Sequence, residues 1–334
     1  MKKILSILLC FVICISLSGC TIKARGRQKG LETIVSALGF DCVNDEIVMY
    51  IETLAVNSED AEADKNLILN EGKGKSLAIA FANAKQSAVR PFMFSHCAVA
   101  VIGESINQRR MREICRFLYN EDEINLSLRF VYTKSAKELL SSDTVTSVAV
   151  GYDLLDAIEN LSEYSGTVYK NRFYEIESAR RNTVNTFSMP NFEVEEDGYF
   201  VQGSVVFKND VAKLKLNRDE SFIYALLNGN QRKGEIVFNN KAYKIKSAKV
   251  KHKFSFDKKL ISSLSVDLEI SGDNNPRQQI RDKISELFIN SKLKGTDIFM
   301  LGNKIEKKEH KLWGEIEHNY YSVYKNSQLA VTVK

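Results

Sequence analysis

Leu17-Ser18-Gly19-Cys20 places two small side chains directly before a cysteine, at the end of an apolar stretch. This arrangement suits one covalent reaction. A thiolate accepts a diacylglyceryl group, and small residues at 18 and 19 let a peptidase close on the bond before Cys20. Lys2 and Lys3 form a short positive segment ahead of the 14 apolar-rich residues Ile4 to Leu17, the layout of a secretory signal peptide. The expected products are a removed leader, residues 1–19, a lipidated Cys20, and a polar, basic tether over residues 20–30. Burial of acyl CH₂ groups is worth roughly 0.8 kcal/mol each and one chain anchors only marginally, so the two chains of a diacylglyceryl group suffice for stable anchoring. The alternatives are an ordinary signal peptide, or an uncleaved anchor with Cys20 incidental.

Other candidate groups carry less. Gly74-Lys75-Ser76 resembles the end of a phosphate-binding loop, but the full pattern needs a glycine where Leu69 stands, so a turn before a helix capped by Ser76 is the expected role. Ser95-His96 is read beside a strand, where adjacent residues face opposite sides and cannot pair as nucleophile and base. There is no G-x-S-x-G elbow. The acids of Asn120-Glu121-Asp122-Glu123 lie in an expected loop and are read as solvated or capping. Beyond Cys20, Cys42, Cys97 and Cys115 are an odd number without CxxC spacing, which excludes a disulfide framework. Cys97 and Cys115 are read as small buried hydrophobes. His96, His252, His310 and His318 are scattered, so no zinc site and no cofactor is expected. Lys244, Lys246, Lys249, Lys251 and Lys253 form a basic stripe on a predicted strand. Lys249, Lys251 and Lys253 are the candidate contacts to an anionic membrane or an acidic partner, against the plain reading of a solvated strand face.

These groups need elements to hold them. The chain has 334 residues, 44% hydrophobic and 27% charged, with only 3 Pro, which excludes a disordered, collagen-like or disulfide-stapled chain and predicts two domains. After Ile22 no stretch has the roughly 18 to 20 consecutive apolar residues of a membrane-spanning helix. The formal charge of +5 falls to about +3 without Lys2 and Lys3, a near-balanced surface that does not suit nucleic acid. In the first half, Ile47–Ile51, Ala98–Ile102 and Leu126–Tyr132 read as strands. Helices are expected over Ser76–Ala88, Ile106–Tyr119, Ala136–Leu140 and most of Val150–Asn182. After Pro190 long alternating strands dominate: Tyr199–Phe207, Val211–Leu216, Glu235–Phe238, Tyr243–Phe256 and Ile261–Ile270. A short helix over Asp219–Leu227 interrupts them, a long one follows over Arg277–Lys292, and Tyr320–Val333 closes as strand. The expected class is α+β, multidomain, with mixed sheets and helices. An α/β-like first half, residues 31–192, precedes a strand-rich second half with one long helix, residues 193–334; the boundary is placed at the Pro, acidic run and Gly of MPNFEVEEDG.

In order and spacing, the chain resembles the Ger(x)C family, the lipoprotein C subunit of spore germinant receptors. The matching residues are Leu38-Gly39-Phe40-Asp41, Glu71 to Leu77 with Ala80, Phe92-Met93-Phe94-Ser95-His96 and Val101-Ile102-Gly103-Glu104. They continue through Val206-Phe207-Lys208, Asp219-Glu220-Ser221 with Leu226-Leu227-Asn228-Gly229, and Thr296-Asp297-Ile298-Phe299 with Leu301-Gly302 and Trp313. The sequence departs from the family pattern at Thr21-Ile22-Lys23 and at Asn120. The resemblance implies a non-enzymatic subunit on the outer face of the inner spore membrane. It would be anchored through Cys20 and work in assembly or signal relay with multi-span A and B subunits in nutrient-triggered germination. A solute-capturing lipoprotein of an importer is the competing reading, and an exported hydrolase lacks a credible constellation.

Overall fold

The computed structural model describes residues 32–54, 67–164, 166, 171–196, 198–229, 231–238, 240–257, 259–271 and 276–334. The leader, Cys20 and the tether lie outside the described residues. Thr33–Lys334 forms one compact unit.

Two sheets organise it. The first begins with the antiparallel meander β1 (Thr33–Val43), β2 (Glu46–Leu54) and β3 (Leu67–Gly74). On its other side β1 runs parallel to β5 (Val99–Gly103) and to the two-residue β4 (Phe92–Met93). The parallel series continues through β6 (Arg129–Thr133) to β7 (Thr186–Glu195), after which β8 (Gly198–Lys208) and β9 (Val211–Leu216) return antiparallel. The runs VAVIG of β5 and RFVYT of β6 are buried throughout, as strands covered on both faces must be. Alternate residues part to the two sides. Ala100, Ile102, Phe130 and Tyr132 face α1 (Leu77–Gln86), α2 (Gln108–Asn120) and α5 (Phe173–Arg181). Val99, Val101 and Val131 face α3 (Ala136–Leu140) and α4 (Val150–Tyr164). The first half is thus a helix–sheet–helix sandwich.

The second sheet is the meander β10 (Gly234–Phe238), β11 (Lys241–Asp257) and β12 (Lys259–Ile270), with β13 (Gln328–Val333) added parallel to β12. One face packs on α6 (Arg218–Leu227), α7 (Arg277–Leu293), α8 (Leu301–Lys308), α9 (His310–Ile316) and α10 (Tyr320–Lys325). The architecture is the expected α+β.

Three differences from the sequence reading have physical causes. Thr33–Val43 is itself the first strand, although Ser36, Gly39 and Asp41 lower its strand propensity. Tyr320–Lys325 is helix, and only Gln328–Val333 is strand. Its tyrosines favour strands by type, but Trp313, Ile316, Tyr320 and Tyr324 recur at helical spacing and all are buried. Residues 190–195 belong to β7 and Gly198 opens β8 opposite Glu195, so the first sheet continues past this position to Leu216. Pro190 is tolerated there because the β6–β7 ladder begins only at Asn191.

Candidate functional site

The lysine stripe lies on β11, and its phase depends on an irregularity. Before it, Tyr243 and Ile245 point inward and Lys244 outward; the register slips between Ile245 and Ser247, with Lys246 as the extra residue. Beyond the bulge the phase is reversed, so Ala248, Val250, His252 and Phe254 turn inward and Lys249, Lys251 and Lys253 outward. All five lysines therefore share the exposed face. Lys249 stands opposite Asp267 of β12, while Lys251 and Lys253 stand opposite Ser265 and Ser263, with Thr332 and Ala330 of β13 beyond them. The two outermost positives rise from short neutral neighbours, a flat cationic face without a cross-strand acid.

The phosphate-loop look-alike is a different device. Gly72 and Gly74 lie in β3, not in a turn, because α1 packs onto that strand: a Cβ on Gly72 would sit 2.0 Å from the carbonyl oxygen of Ala80. Ser76 does cap α1, accepting from the Ile79 amide at 3.4 Å, and the Leu77 amide donates to Glu113 at 2.5 Å. Glu113 in turn pairs with the buried Arg110 guanidinium, 2.8 Å away. The helix start is occupied by protein groups. Ser95 and His96 sit exposed in a short 3₁₀ turn and not on a strand. Cys97 and Cys115 are buried, and burial pushes the Cys97 thiol up to about 12 and raises that of Cys115. No group of three potential metal ligands occurs among the described residues.

Buried carboxylates, which sequence reasoning missed, start helices, two of them from far along the chain. Asp41 accepts from the amides of Ala136 and Lys137 at the start of α3, at 3.2 and 3.1 Å. Glu52 accepts from Val150 and Gly151 at the start of α4, both at 2.9 Å, and from Ser36 Oγ at 2.6 Å. Asp297 accepts from the Gly302 amide of α8 at 2.9 Å and from Tyr320 Oη at 2.6 Å. Burial raises all three pKa values, and the helix-end donors hold them down in part. No local spacing announces the partners of Asp41 and Glu52, which lie 95 and 98 positions away at Ala136 and Val150. Around Asp297 the Thr296–Gly302 segment, Trp313 and Tyr320 form one packed hub. Trp313 and Tyr320 rings lie 5.3 Å apart, and a Cβ on Gly302 would meet Val184 at 2.5 Å.

Two family models match nearly the whole described chain: a spore germination protein N-terminal domain over residues 32–194, and a spore germination B3/GerAC-like C-terminal domain over residues 202–334. The two matched segments meet inside the β7–β8 hairpin. Among solved structures, the crystal structure of the GerBC protein matches with a TM-score of 0.52 at 13% identity, covering 89% of this chain and 95% of that one, a likeness of fold. No curated protein matches. A distant but nearly complete fold match, under two adjoining sequence matches of the same kind, leads to one assignment: this chain belongs to the GerAC-like family of spore germination proteins.

Proposed function

We propose that the chain is the lipid-anchored C subunit of a spore germinant receptor, held through Cys20 on the outer face of the inner spore membrane. The observation that carries this reading is the pairing of both germination family segments with a lipobox-type Leu17-Ser18-Gly19-Cys20 that ends twelve positions before the first begins at residue 32. GerBC, whose fold it resembles, supports the same reading. No described helix is long and apolar enough to cross a membrane, so an anchor has to come from another part of the chain or from an acyl group. The role is non-catalytic, in assembly or signal relay with multi-span A and B subunits. The buried acids are bonded to helix starts, and the flat face of Lys249, Lys251 and Lys253 suits anionic headgroups.

The test is complementation. A deletion strain carrying the wild-type gene should germinate with nutrients, whereas Cys20→Ala should not, and its product should leave the inner-membrane fraction. Mass spectrometry of the wild-type N-terminal peptide should find diacylglyceryl on Cys20. Full germination with Cys20→Ala, or an unmodified Cys20 behind an intact leader, would overturn the proposal.

A further inference from the structure

β10 covers only the beginning of β11. Its five residues pair with Lys241–Ile245, and beyond Ile245 no strand pairs with that edge of β11 among the described residues. Two irregularities cause the divergence. Lys246 is the bulged residue on β11, and opposite Ile245 stands Gly234, whose φ of 155° only glycine adopts readily. The chain before Gly234 therefore swings away from the position that a longer β10 would occupy.

The space so opened is a groove of about 1400 Å³. One wall is β11 from Lys246 to His252; another is the end of α6 with Gln231, Arg232 and Lys233. Its lining carries seven basic side chains and two acidic ones, Asp267 and Glu269. Glu269 is bonded to Ser247 at 3.1 Å. Deepest among the cations is Lys304, whose ammonium donates to the carbonyls of Phe299 and Leu227 at 2.7 and 3.0 Å and lies 3.3 Å from His252 Nε2. These partners are neutral, so its charge is not offset by them, and burial lowers its pKa to about 8.

We propose that this groove is a docking site for an extended acidic peptide segment, which adds as a strand to the free edge of β11 while its carboxylates meet Lys246, Lys249, Arg232 and Lys308. The edge supplies backbone donors and acceptors that a headgroup or free oxyanion would leave unused, and strand addition is a common mode of peptide capture. The basic lining selects the sign. A second copy of the chain would bring lysines against lysines, the arrangement by which edge strands avoid pairing with themselves. The site shares Lys249 with the lysine face proposed for headgroups, leaves Lys251 and Lys253 outside it, and does not depend on the anchor.

The test uses the full chain in non-ionic detergent and a blocked nine-residue peptide alternating Glu with Val and Thr. Hydrogen exchange should slow at amides within 246–252 when this peptide is added, and not with its Lys counterpart. Lys246→Glu with Lys249→Glu, both at exposed positions, should weaken the acidic peptide by about tenfold or more and admit the Lys peptide. A version of the acidic peptide N-methylated on its edge-facing amides should lose binding. Undiminished binding of the N-methylated peptide, equal displacement by pyrophosphate at matched ionic strength, or no added protection at millimolar acidic peptide would each overturn the proposal.

Discussion

Replacing Asp153 by Asn tests whether a single carboxylate fixes the loop ahead of α4. Its oxygens accept from the amides of Val145 at 2.6 Å, Thr146 at 3.1 Å and Ser147 at 2.8 Å, from Thr146 Oγ1 at 2.7 Å, and from Tyr199 Oη of β8 at 3.0 Å. Burial alone would raise its pKa, but these donors outweigh burial and hold it at about 2 against an ordinary 3.8. The folded value lies below the unfolded one, so as pH falls the unfolded chain takes up the proton first. The stabilisation, about 2 kcal/mol, is complete above the ordinary value and is lost between about pH 4 and pH 2. Asn keeps one acceptor and turns an N–H toward donors, which leaves a buried group unpaired at a cost of about 1 to 3 kcal/mol. At pH 7 the urea midpoint of Asp153→Asn should fall by roughly 1 M for an m-value of about 3 kcal/mol/M. Near pH 2 the gap between variant and wild type should shrink by about 2 kcal/mol. Asp41 and Asp297 titrate in the opposite sense, with raised values whose benefit fades as pH rises, but they are common to both proteins and cancel; Glu52 is raised chiefly by burial and only last by the Asp153 charge, so the substitution relieves it in small part. An equal gap at both pH values would refute the assignment of the stabilisation to the carboxylate charge.

Packing and surface make two further expectations. Gly72→Ala should cost about 2 to 3 kcal/mol, because its methyl would meet the backbone of α1 at Ala80 and Ala84, whereas Gly314→Ala, in α9 with nothing within 4 Å of the new Cβ, should stabilise by about 0.5 to 1 kcal/mol; thermal melts followed by circular dichroism should move in opposite directions. Lys251→Glu with Lys253→Glu, placed in the Cys20→Ala background to remove acyl anchoring, should lower partition into anionic vesicles at least thirtyfold at low salt. Two lysines worth about 1 kcal/mol each are lost and repulsion is added. Unchanged co-sedimentation would leave the face as solvated strand.

Legibility in the sequence followed how local each interaction is. β5 was readable because five buried residues in a row need no partner to announce them, and α6 as a short helix over Asp219–Leu227, whose Asn217–Glu220 capping box the structure adds. β1 was obscured by Asp41, whose presence in a strand makes sense only with α3 in place, and α10 by tyrosines whose type argued against their spacing. The lysine stripe was visible as two runs of alternate residues. That both runs share a face depends on the bulge at Lys246, which would otherwise have turned one run inward. The groove could not be read at all, because it is defined by where β10 stops pairing.

The meeting of the two family segments inside a hairpin has a structural consequence. Residues 32–194 supply β1 to β7, but β8 and β9, from residues 202–334 apart from the start of β8 at 198–201, complete the same sheet. Val205 and Phe207 enter the first core while Val206, on the opposite face of the same strand, enters the second. β8 is thus shared by both cores, and a sequence boundary at this point separates homologous segments without separating folding units. The relay or assembly role proposed above would gain from such a joint. Force or displacement applied at the N-terminal segment passes to the second core through ladder hydrogen bonds and buried side chains, and not through a flexible linker whose slack would absorb it.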